Sequence, residues 1–497
     1  MTASATSRVA PGENAGGFRE LAASGLVHFM GVGGAGMCAL AEAVARSGGQ
    51  VSGCDTDPGD AVEPLERLGV PVARGHDPAH LEGAVALVVS SAVPDLHPEI
   101  ERARDLGIPV FKRARALGEW VNAGRVVGVA GTHGKTTTTA MVTSILDHAG
   151  MEPTGFVGGR VEAWESHLRP GGSDLFVVEA DEFDRSFHHL RPLVAIVTNL
   201  EADHLDVYGD LAGVEAAFRT YLRGVRDEGT IVVCADDSGA SSLLAGAGAR
   251  GRSYGFSAGS QLRGDRLEFG EWGVRFRVTE DGRKRAVLGV SLPGIHNARN
   301  ALGAAAVARA LEVDWDSIAR GLAAFGGVAR RFQLLGKVRG IEVVDDYAHH
   351  PTEVAAALEA ARARSPGTRL IAVFQPHLYT RTRDFAEEFG RVLAEADGVW
   401  ITEVYPAREE PIPGVDAALL ARHVDHALAA RGKGSGAVEV RLHSDLERLA
   451  ADLADFLRSG DLCMTLGAGS IDRVAPELIQ ILREGAGEDH HAEDHHA

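Results

Sequence analysis

"VVGVAGTHGKTTTTA", residues 126–140, decides how the chain reads. An apolar run of strand character ends in a glycine turn. A lysine follows, then four threonines and an alanine that open a helical segment. In such a strand–turn–helix unit, backbone N–H groups at the helix start favour anions, a lysine reaches the outer phosphates, and a Ser/Thr hydroxyl reaches Mg2+. Gly131, Gly134, Lys135 and Thr136 fill these roles, with Thr132, His133 and Thr137 in the same loop. The strict motif has one more glycine, five positions before Gly134, where Val129 stands. The expected ligand is a nucleoside triphosphate.

Outward from this loop, strands and helices alternate over most of the 497 residues. That length suggests about three domains at roughly 100–200 residues each. "LVHFMGV" (26–32) runs into "GGAGMCALAEAVARSGG", and "AVALVVSSAV" (84–93) reads as another strand. The second set holds the phosphate loop, "DLFVVEADEFD" (174–184) and "LVAIVTNLEADHLD" (193–206). Residues 254–290 are richer in strand character, and 293–311 read as a helix led by a turn. The third set contains "GIEVVDDYAHHPTEV", "RLIAVFQPHLYTRTRDF", "GVWITEVYPA" and "DLCMTLGAGSI". The expected order is a flexible arm (1–22), an α/β domain (23–122), a central α/β domain (123–326), a C-terminal α/β domain (327–484) and a disordered acidic, His-rich tail (485–497).

The net charge is −19, from 50 basic and 69 acidic residues. An acidic chain without a basic run repels nucleic acid and anionic membrane. Phosphate must therefore be met by local devices. Lysine is rare, at positions 112, 135, 284, 337 and 433 only, which makes Lys135 in the loop more telling. The four cysteines form no CxxC pair, which suggests a reducing compartment and no structural zinc. The N-terminal segment lacks an apolar core, and no apolar run reaches the ~20 residues of a membrane span. The expectation is a cytoplasmic protein.

Ligands of open α/β sheets gather at the carboxyl ends of strands. Glu179, Asp203 and His204 each follow a strand, and Glu179 and His204 join Thr136 as candidate Mg2+ ligands. Gly31, Gly33 and Gly36 form a GxGxxG turn, with Asp55 about 20 residues on, the fingerprint of a pyrophosphate-bearing dinucleotide. NAD is the obvious reading, but the geometry cradles any pyrophosphate. The third-domain clusters "DDYAHHP" (345–351), "FQPHLYTR" (374–381) and "ARRFQLLG" (329–336) group acids, aromatics, histidines and arginines, and arginine suits carboxylate or phosphate.

In order along the chain stand "GVGGAGM", "GTHGKTTTT", "EADEFD", "EADHLD", "PGIHNARNALGA", "RRFQ", "DDYAHHPTE" and "FQPHLYTRT". Together they resemble the Mur ligase family of peptidoglycan synthesis, its alanine-adding branch in particular, over about residues 25–480. The resemblance implies three domains: an N-terminal Rossmann-like domain for a UDP-sugar, a central P-loop ATPase-like domain, and a C-terminal Rossmann-like domain for the amino acid. It implies ATP and Mg2+, with UDP-N-acetylmuramate and L-alanine as substrates, and a monomer or homodimer. By the same resemblance Lys135 and Thr136 hold the γ-phosphate and Mg2+, and Glu179 and His204 hold metal. His296, Asn297 and Asn300 lie at the adenine side and hinge. Arg331 and Asp346 reach the nucleotide. Tyr347, His377 and Arg381 form the alanine pocket. Gly33, Gly34, Asp55, His76 and Ser90 hold the UDP-sugar rather than NAD. Some relatives carry a carbamylated lysine in the central domain, but no lysine stands between 136 and 283, as is common in the alanine-adding branch. The rival readings are the branch that recycles a tripeptide, an NAD-dependent oxidoreductase, and an ATP-driven binding switch. The motif order also implies that the third domain closes to complete the site.

Overall fold

The computed structural model describes residues 17–407, 409–431 and 438–493. The chain forms two compact units. One comprises Met1–Asp265, Val278–Ala286 and Asn300–Gly326; the other comprises Arg266–Arg277, Val287–Arg299 and Gly327–Ala497. The architecture is α/β throughout, with three largely parallel sheets whose strands alternate with helices.

The first sheet holds β1 (Leu26–Met30), β2 (Gln50–Asp55), β3 (Val72–Arg74), β4 (Ala84–Val89) and β5 (Val110–Lys112) in the order β3-β2-β1-β4-β5, all parallel. The order reverses direction between β1 and β4, the switch point where such sheets open a ligand crevice. β1 is buried on both faces, as apolar strands of parallel sheets are. The sequence places residues 1–22 in a flexible arm, and the structure corrects its end. Helix Phe18–Ser24 packs on this sheet, with Phe18 fully buried against the rings of Phe111 and Trp120 at 5.4 and 6.2 Å. One buried phenylalanine outweighs the polar composition around it. Residues 1–16 lie outside the described residues.

The central sheet holds β6 (Arg125–Ala130), β7 (Thr154–Val161), β8 (Ser166–Arg169), β9 (Leu175–Glu179), β10 (Val194–Val197), β11 (Thr230–Cys234) and β12 (Gly251–Gly255) in the order β12-β11-β10-β6-β9-β7-β8. β8 alone of these runs antiparallel to its neighbour. β13 (Leu262–Gly270) begins beside β12, with Leu262 opposite Tyr254, and β14 (Gly273–Glu280) and β15 (Arg283–Val290) follow in the chain. β6 lies between β9 and β10, so the carboxyl ends of all three converge on the loop after β6. The first two sheets meet within one unit. Glu42, fully buried on helix Ala35–Arg46, accepts hydrogen bonds from Ser166 Oγ and, at 2.7 Å, Arg46 Nε.

The third sheet holds β16 (Gln333–Val338), β17 (Ile341–Asp346), β18 (Arg369–Phe374), β19 (Gly398–Thr402), β20 (Glu439–His443) and β21 (Asp461–Leu466) in the order β16-β17-β21-β18-β19-β20. Only the β16–β17 hairpin is antiparallel. The closing helix runs Val474–Glu493, so residues 485–493 are helical rather than part of a disordered tail. Residues 485–493 hold no proline, and the packed first turns of the helix supply the costly nucleus. Residues 494–497 lie outside the described residues.

Candidate active site

β6 ends at Ala130 and helix Lys135–His148 begins five residues later. Between them Gly131 (φ 142°) and Gly134 (φ 79°) take conformations that L side chains rarely adopt. Space is equally restrictive. A Cβ on Gly131 would lie 1.9 Å from Thr198 Oγ1, and one on Gly134 2.6 Å from Asn300 Oδ1. The loop is clamped from the end of β10: the His133 N–H donates to Asn199 Oδ1 at 2.7 Å, Asn199 Nδ2 and Thr198 Oγ1 both donate to the His133 carbonyl, and the Glu201 N–H donates to Thr132 Oγ1. The loop N–H groups are thus held at a helix start, where anions bind.

Lys135 Nζ donates to the Gly131 and Thr132 carbonyls at 2.7 and 3.1 Å and pairs with Glu182 at 2.7 Å. Burial alone depresses the Lys135 ammonium, but Glu182, Asp181 and Glu179 outweigh it and hold its pKa above the ordinary lysine value. Thr136 Oγ1 donates to Glu179 Oε1 at 2.9 Å, and the Gly158 N–H donates to Glu179 Oε2 at 2.6 Å. His204 stands at φ 52°, uncommon for a residue with a Cβ, with Nε2 at 4.0 Å from Glu182 and 3.9 Å from Asp203. The structure therefore brings Thr136 to Glu179, and His204 to the Lys135–Glu182 pair. Glu182 is absent from the sequence-level candidates.

The turn after β1 is braced by Asp55, whose Oδ2 accepts from the Gly33 N–H at 2.9 Å and Oδ1 from the Asp57 N–H at 3.0 Å. A cleft of about 200 Å3 runs from this turn to the central sheet, lined among others by Gly34, Gly36, Ser90, Arg113, Glu179 and Asp181. Arg113, also missed at the sequence level, stands 3.9 Å from Asp181, and a Cβ on Gly36 would come within 2.9 Å of its guanidinium. His76 sits instead on a buried side-chain cluster, with Nδ1 at 3.2 Å from Cys54 Sγ.

In the second unit, Asp346 at the end of β17 accepts from the Phe332 N–H (2.7 Å) and the Ala348 N–H (2.8 Å), tying "RRFQ" to "DDYAHHP". The Arg331 guanidinium lies over the Tyr347 ring at 5.1 Å. A row of rings continues from Tyr347 to His349, His377 and Tyr405 at centroid spacings of 5.2, 5.5 and 5.7 Å, and Arg381 Nη1 reaches His377 Nδ1 at 3.3 Å. Tyr347, His377 and Arg381 thus share one cluster, joined by His349 and Tyr405. Asn297 Nδ2 donates to the Pro293 carbonyl at 2.8 Å, and Gly294 leaves no room for a Cβ beside His296.

Burial pushes His296 and His349 down to about 4 and His377 to about 3, with nearby arginines adding to burial in each case. Burial raises Asp346 to about 6, against the opposing pull of Arg331. A histidine whose folded pKa lies below its unfolded value contributes stability that is full above about 6.5 and is lost as pH falls toward the folded pKa. Asp346 works the other way, regaining stability as pH falls from about 6 toward the unfolded value. Asp345, raised by burial against the pull of Arg330, works the same way as Asp346, and three histidines outweigh two aspartates. Urea unfolding followed in the second unit should show a lower midpoint at pH 5.5 than at pH 7.5 (about one unit either side of the free-histidine pKa). An equal or higher midpoint at the acid pH contradicts the assignment of neutral buried histidines.

These features define a phosphate-binding α/β protein whose loop is fed by three parallel strand ends, beside a second glycine turn across a cleft. Comparison with known proteins agrees. The family model described as Mur ligase family, catalytic domain matches residues 26–125, the Mur ligase middle domain matches 129–308, and the Mur ligase glutamate ligase domain matches 330–469. The UDP-N-acetylmuramate--L-alanine ligase of Burkholderia pseudomallei is 42% identical over 460 residues, covering 91% of this chain and 97% of its own. A UDP-N-acetylmuramate-alanine ligase from Thermotoga maritima superposes with TM-score 0.79 at 27% identity, covering 93% of this chain and all of that one. A murein peptide ligase from Psychrobacter arcticus superposes with TM-score 0.65 at 26% identity, covering 92% and 98%. The chain belongs to the Mur ligase family.

Proposed function

We propose that this chain is the ATP-dependent ligase that joins L-alanine to the lactyl carboxylate of UDP-N-acetylmuramate, a step of peptidoglycan synthesis. The 42% identity to a ligase of that name over 91% of the chain supports the substrates. The observation that carries the chemistry is the cleft that sets Gly34, Ser90 and Arg113 of the first sheet opposite Glu179 and Asp181 of the central one. A carboxylate carried by a nucleotide sugar on the first sheet then faces the end of a triphosphate on the loop.

A carboxylate is a poor electrophile. Transfer of the γ-phosphoryl group to it releases ADP and leaves an acyl phosphate. The alanine amine then attacks the carbonyl carbon, and phosphate departs from the tetrahedral intermediate. Lys135 and the loop N–H groups hold the outer phosphates, while Gly131 and Gly134 allow the backbone to approach them. Thr136 Oγ1 and Glu179 Oε1, 2.9 Å apart at the helix start, are hard oxygen donors that fit Mg2+, with His204 as a neighbour. When bound, Mg2+ neutralises charge on the transferring phosphoryl group. Gly33, Gly34, Asp55 and Ser90 take the UDP-sugar, while His76 stays on the Cys54 cluster. His296, Asn297, Asn300, Arg331 and Asp346 serve the nucleotide, and Tyr347, His377 and Arg381 take alanine, the guanidinium facing its carboxylate. Among the described residues no helix is long and apolar enough to cross a membrane. ATP and a UDP-sugar as substrates favour a cytoplasmic setting, with the protein a monomer or homodimer.

The test is phosphate release from ATP and Mg2+ with UDP-N-acetylmuramate, with and without L-alanine. Release should require both. Release that ignores alanine but responds to a tripeptide moves the chain to the activity named for the Psychrobacter relative. No release with either withdraws the reading.

A further inference from the structure

Away from the cleft, the first sheet buries a second set of reactive side chains. His28 (β1), Cys54 (β2), His80 (segment Pro78–Leu81) and Glu99 (helix Pro98–Asp105) come from four elements, and one ligand atom from each lies within 4.8 Å of all the others. His28 Nε2 is 3.3 Å from Cys54 Sγ, Cys54 Sγ is 3.6 Å from both Glu99 oxygens, and His80 Nδ1 is 2.9 Å from Glu99 Oε1. Metal bonds of about 2.0–2.3 Å in a tetrahedron place ligand atoms about 3.3–3.7 Å apart. Much of the cluster already stands near that spacing. The outer contacts fit the same purpose. Ser52 Oγ holds His28 Nδ1 at 2.9 Å, turning Nε2 inward, and the Asp77 N–H donates to Glu99 Oε1 at 2.7 Å. His76 Nδ1 approaches Cys54 Sγ to 3.2 Å from the cluster's edge.

Charge is the second argument. Glu99 is fully buried, yet among the described residues its ion-pair partners are His76 and His80, with no lysine or arginine. A buried carboxylate without a firm cation is costly. A divalent ion with one thiolate, one carboxylate and two neutral imidazoles gives a neutral site.

We propose that His28, Cys54, His80 and Glu99 form a tetrahedral site for a borderline-soft divalent cation, Zn2+ above all, which pins β1, β2 and the two segments that cover them. The mixed N, S and O donor set disfavours Mg2+ and Ca2+. Binding displaces the thiol proton of Cys54 to solvent. The inference is independent of the ligase reading. It reverses the sequence-level expectation of no structural zinc, which rested on CxxC spacing; here four separate elements supply the ligands.

The test is titration of the chelator-treated full-length protein with Co2+, followed by thiolate-to-cobalt charge-transfer absorbance. The His-rich C-terminal sequence has no cysteine, so a thiolate band excludes it as the source. The wild type should give a band that saturates at one equivalent and is displaced by Zn2+. Cys54→Ser should lose the band, and Glu99→Gln should weaken Co2+ affinity at least tenfold, since loss of even an outer partner costs about 10–100-fold. No band in the wild type overturns the proposal, as does a band that persists in Cys54→Ser or is unchanged in Glu99→Gln. If Cys54→Ser fails to fold, by circular dichroism, Glu99→Gln decides.

Discussion

Lys135→Ala should cut turnover by on the order of 10²–10³-fold and destabilise the protein, and the two effects separate. On the proposed function the Lys135 ammonium meets the outer phosphates, and loss of such a charge costs on the order of 10²–10³-fold in kcat. The stability effect follows from Glu182, whose side chain is 4% exposed and pairs with Lys135 at 2.7 Å. Breaking a buried pair by removing one partner typically costs about 3–5 kcal/mol, because the other charge is left without compensation. The double variant Lys135→Met/Glu182→Gln removes both charges, so it should regain most of the lost stability while staying inactive. Urea unfolding and phosphate release read the two axes separately, and UDP-N-acetylmuramate binding by calorimetry should survive in the double variant. A double variant as unstable as Lys135→Ala contradicts the role given to Glu182. One that regains activity contradicts the role given to Lys135.

The phosphate loop is legible in sequence because its geometry is local. Strand, two conformationally special glycines, lysine and helix lie within 15 letters, and the backbone chemistry of each is fixed by residue type. Its supports are not legible. "EADEFD" offers four acids at and beyond the end of β9, and nothing in their spacing says that Glu182 meets the lysine while Glu179 meets Thr136. The chain turns through Asp184 and Arg185 at φ 51° and 55°, a path that periodicity does not encode. Asn199 and Arg113 read as ordinary polar residues until β10 and the helix after β5 bring them to the loop and the cleft. His349 lies inside "DDYAHHP" and Tyr405 inside "GVWITEVYPA", but nothing in either stretch joins the two; Tyr405 enters the ring row only because the segments after β18 and β19 pair at His377 and Tyr405. Composition misled at both ends, where one phenylalanine anchors the arm and a helix continues past the last packed turn.

The fold also explains why the site's parts need so few charges in an acidic chain. The loop meets anions with N–H groups and one lysine; Glu182 pairs with that lysine and Glu179 accepts from Thr136. Glu182, Asp181 and Glu179 keep the ammonium charged, and on the proposed function Glu179 supplies an oxygen donor for a cation that arrives with the triphosphate. Negative net charge and phosphate binding are compatible for that reason.

Glu179→Gln tests this division of labour. The carboxylate accepts from Thr136 Oγ1 at 2.9 Å and from the Gly158 N–H at 2.6 Å, so it is held by β7 and the first turn of the loop helix before any metal binds. Glutamine keeps one acceptor oxygen and nearly the same volume, so folding should be little changed. It removes the negative charge that a hard cation requires. The expected result is a rise of at least tenfold in the Mg2+ concentration for half-maximal phosphate release, with kcat at saturating Mg2+ reduced by on the order of 10²-fold. Thr136→Val should move the same way by a smaller factor, since a neutral hydroxyl ligand is lost rather than a charged one. UDP-N-acetylmuramate affinity in the absence of ATP is the control and should stay within about twofold, because Gly158, not the sugar turn, is the group left with a weakened partner. Should Glu179→Gln instead lose nucleotide-sugar affinity while its Mg2+ dependence stays that of the wild type, Glu179 belongs to the substrate wall of the cleft and the metal ligands must be sought among Asp181, Asp203 and His204.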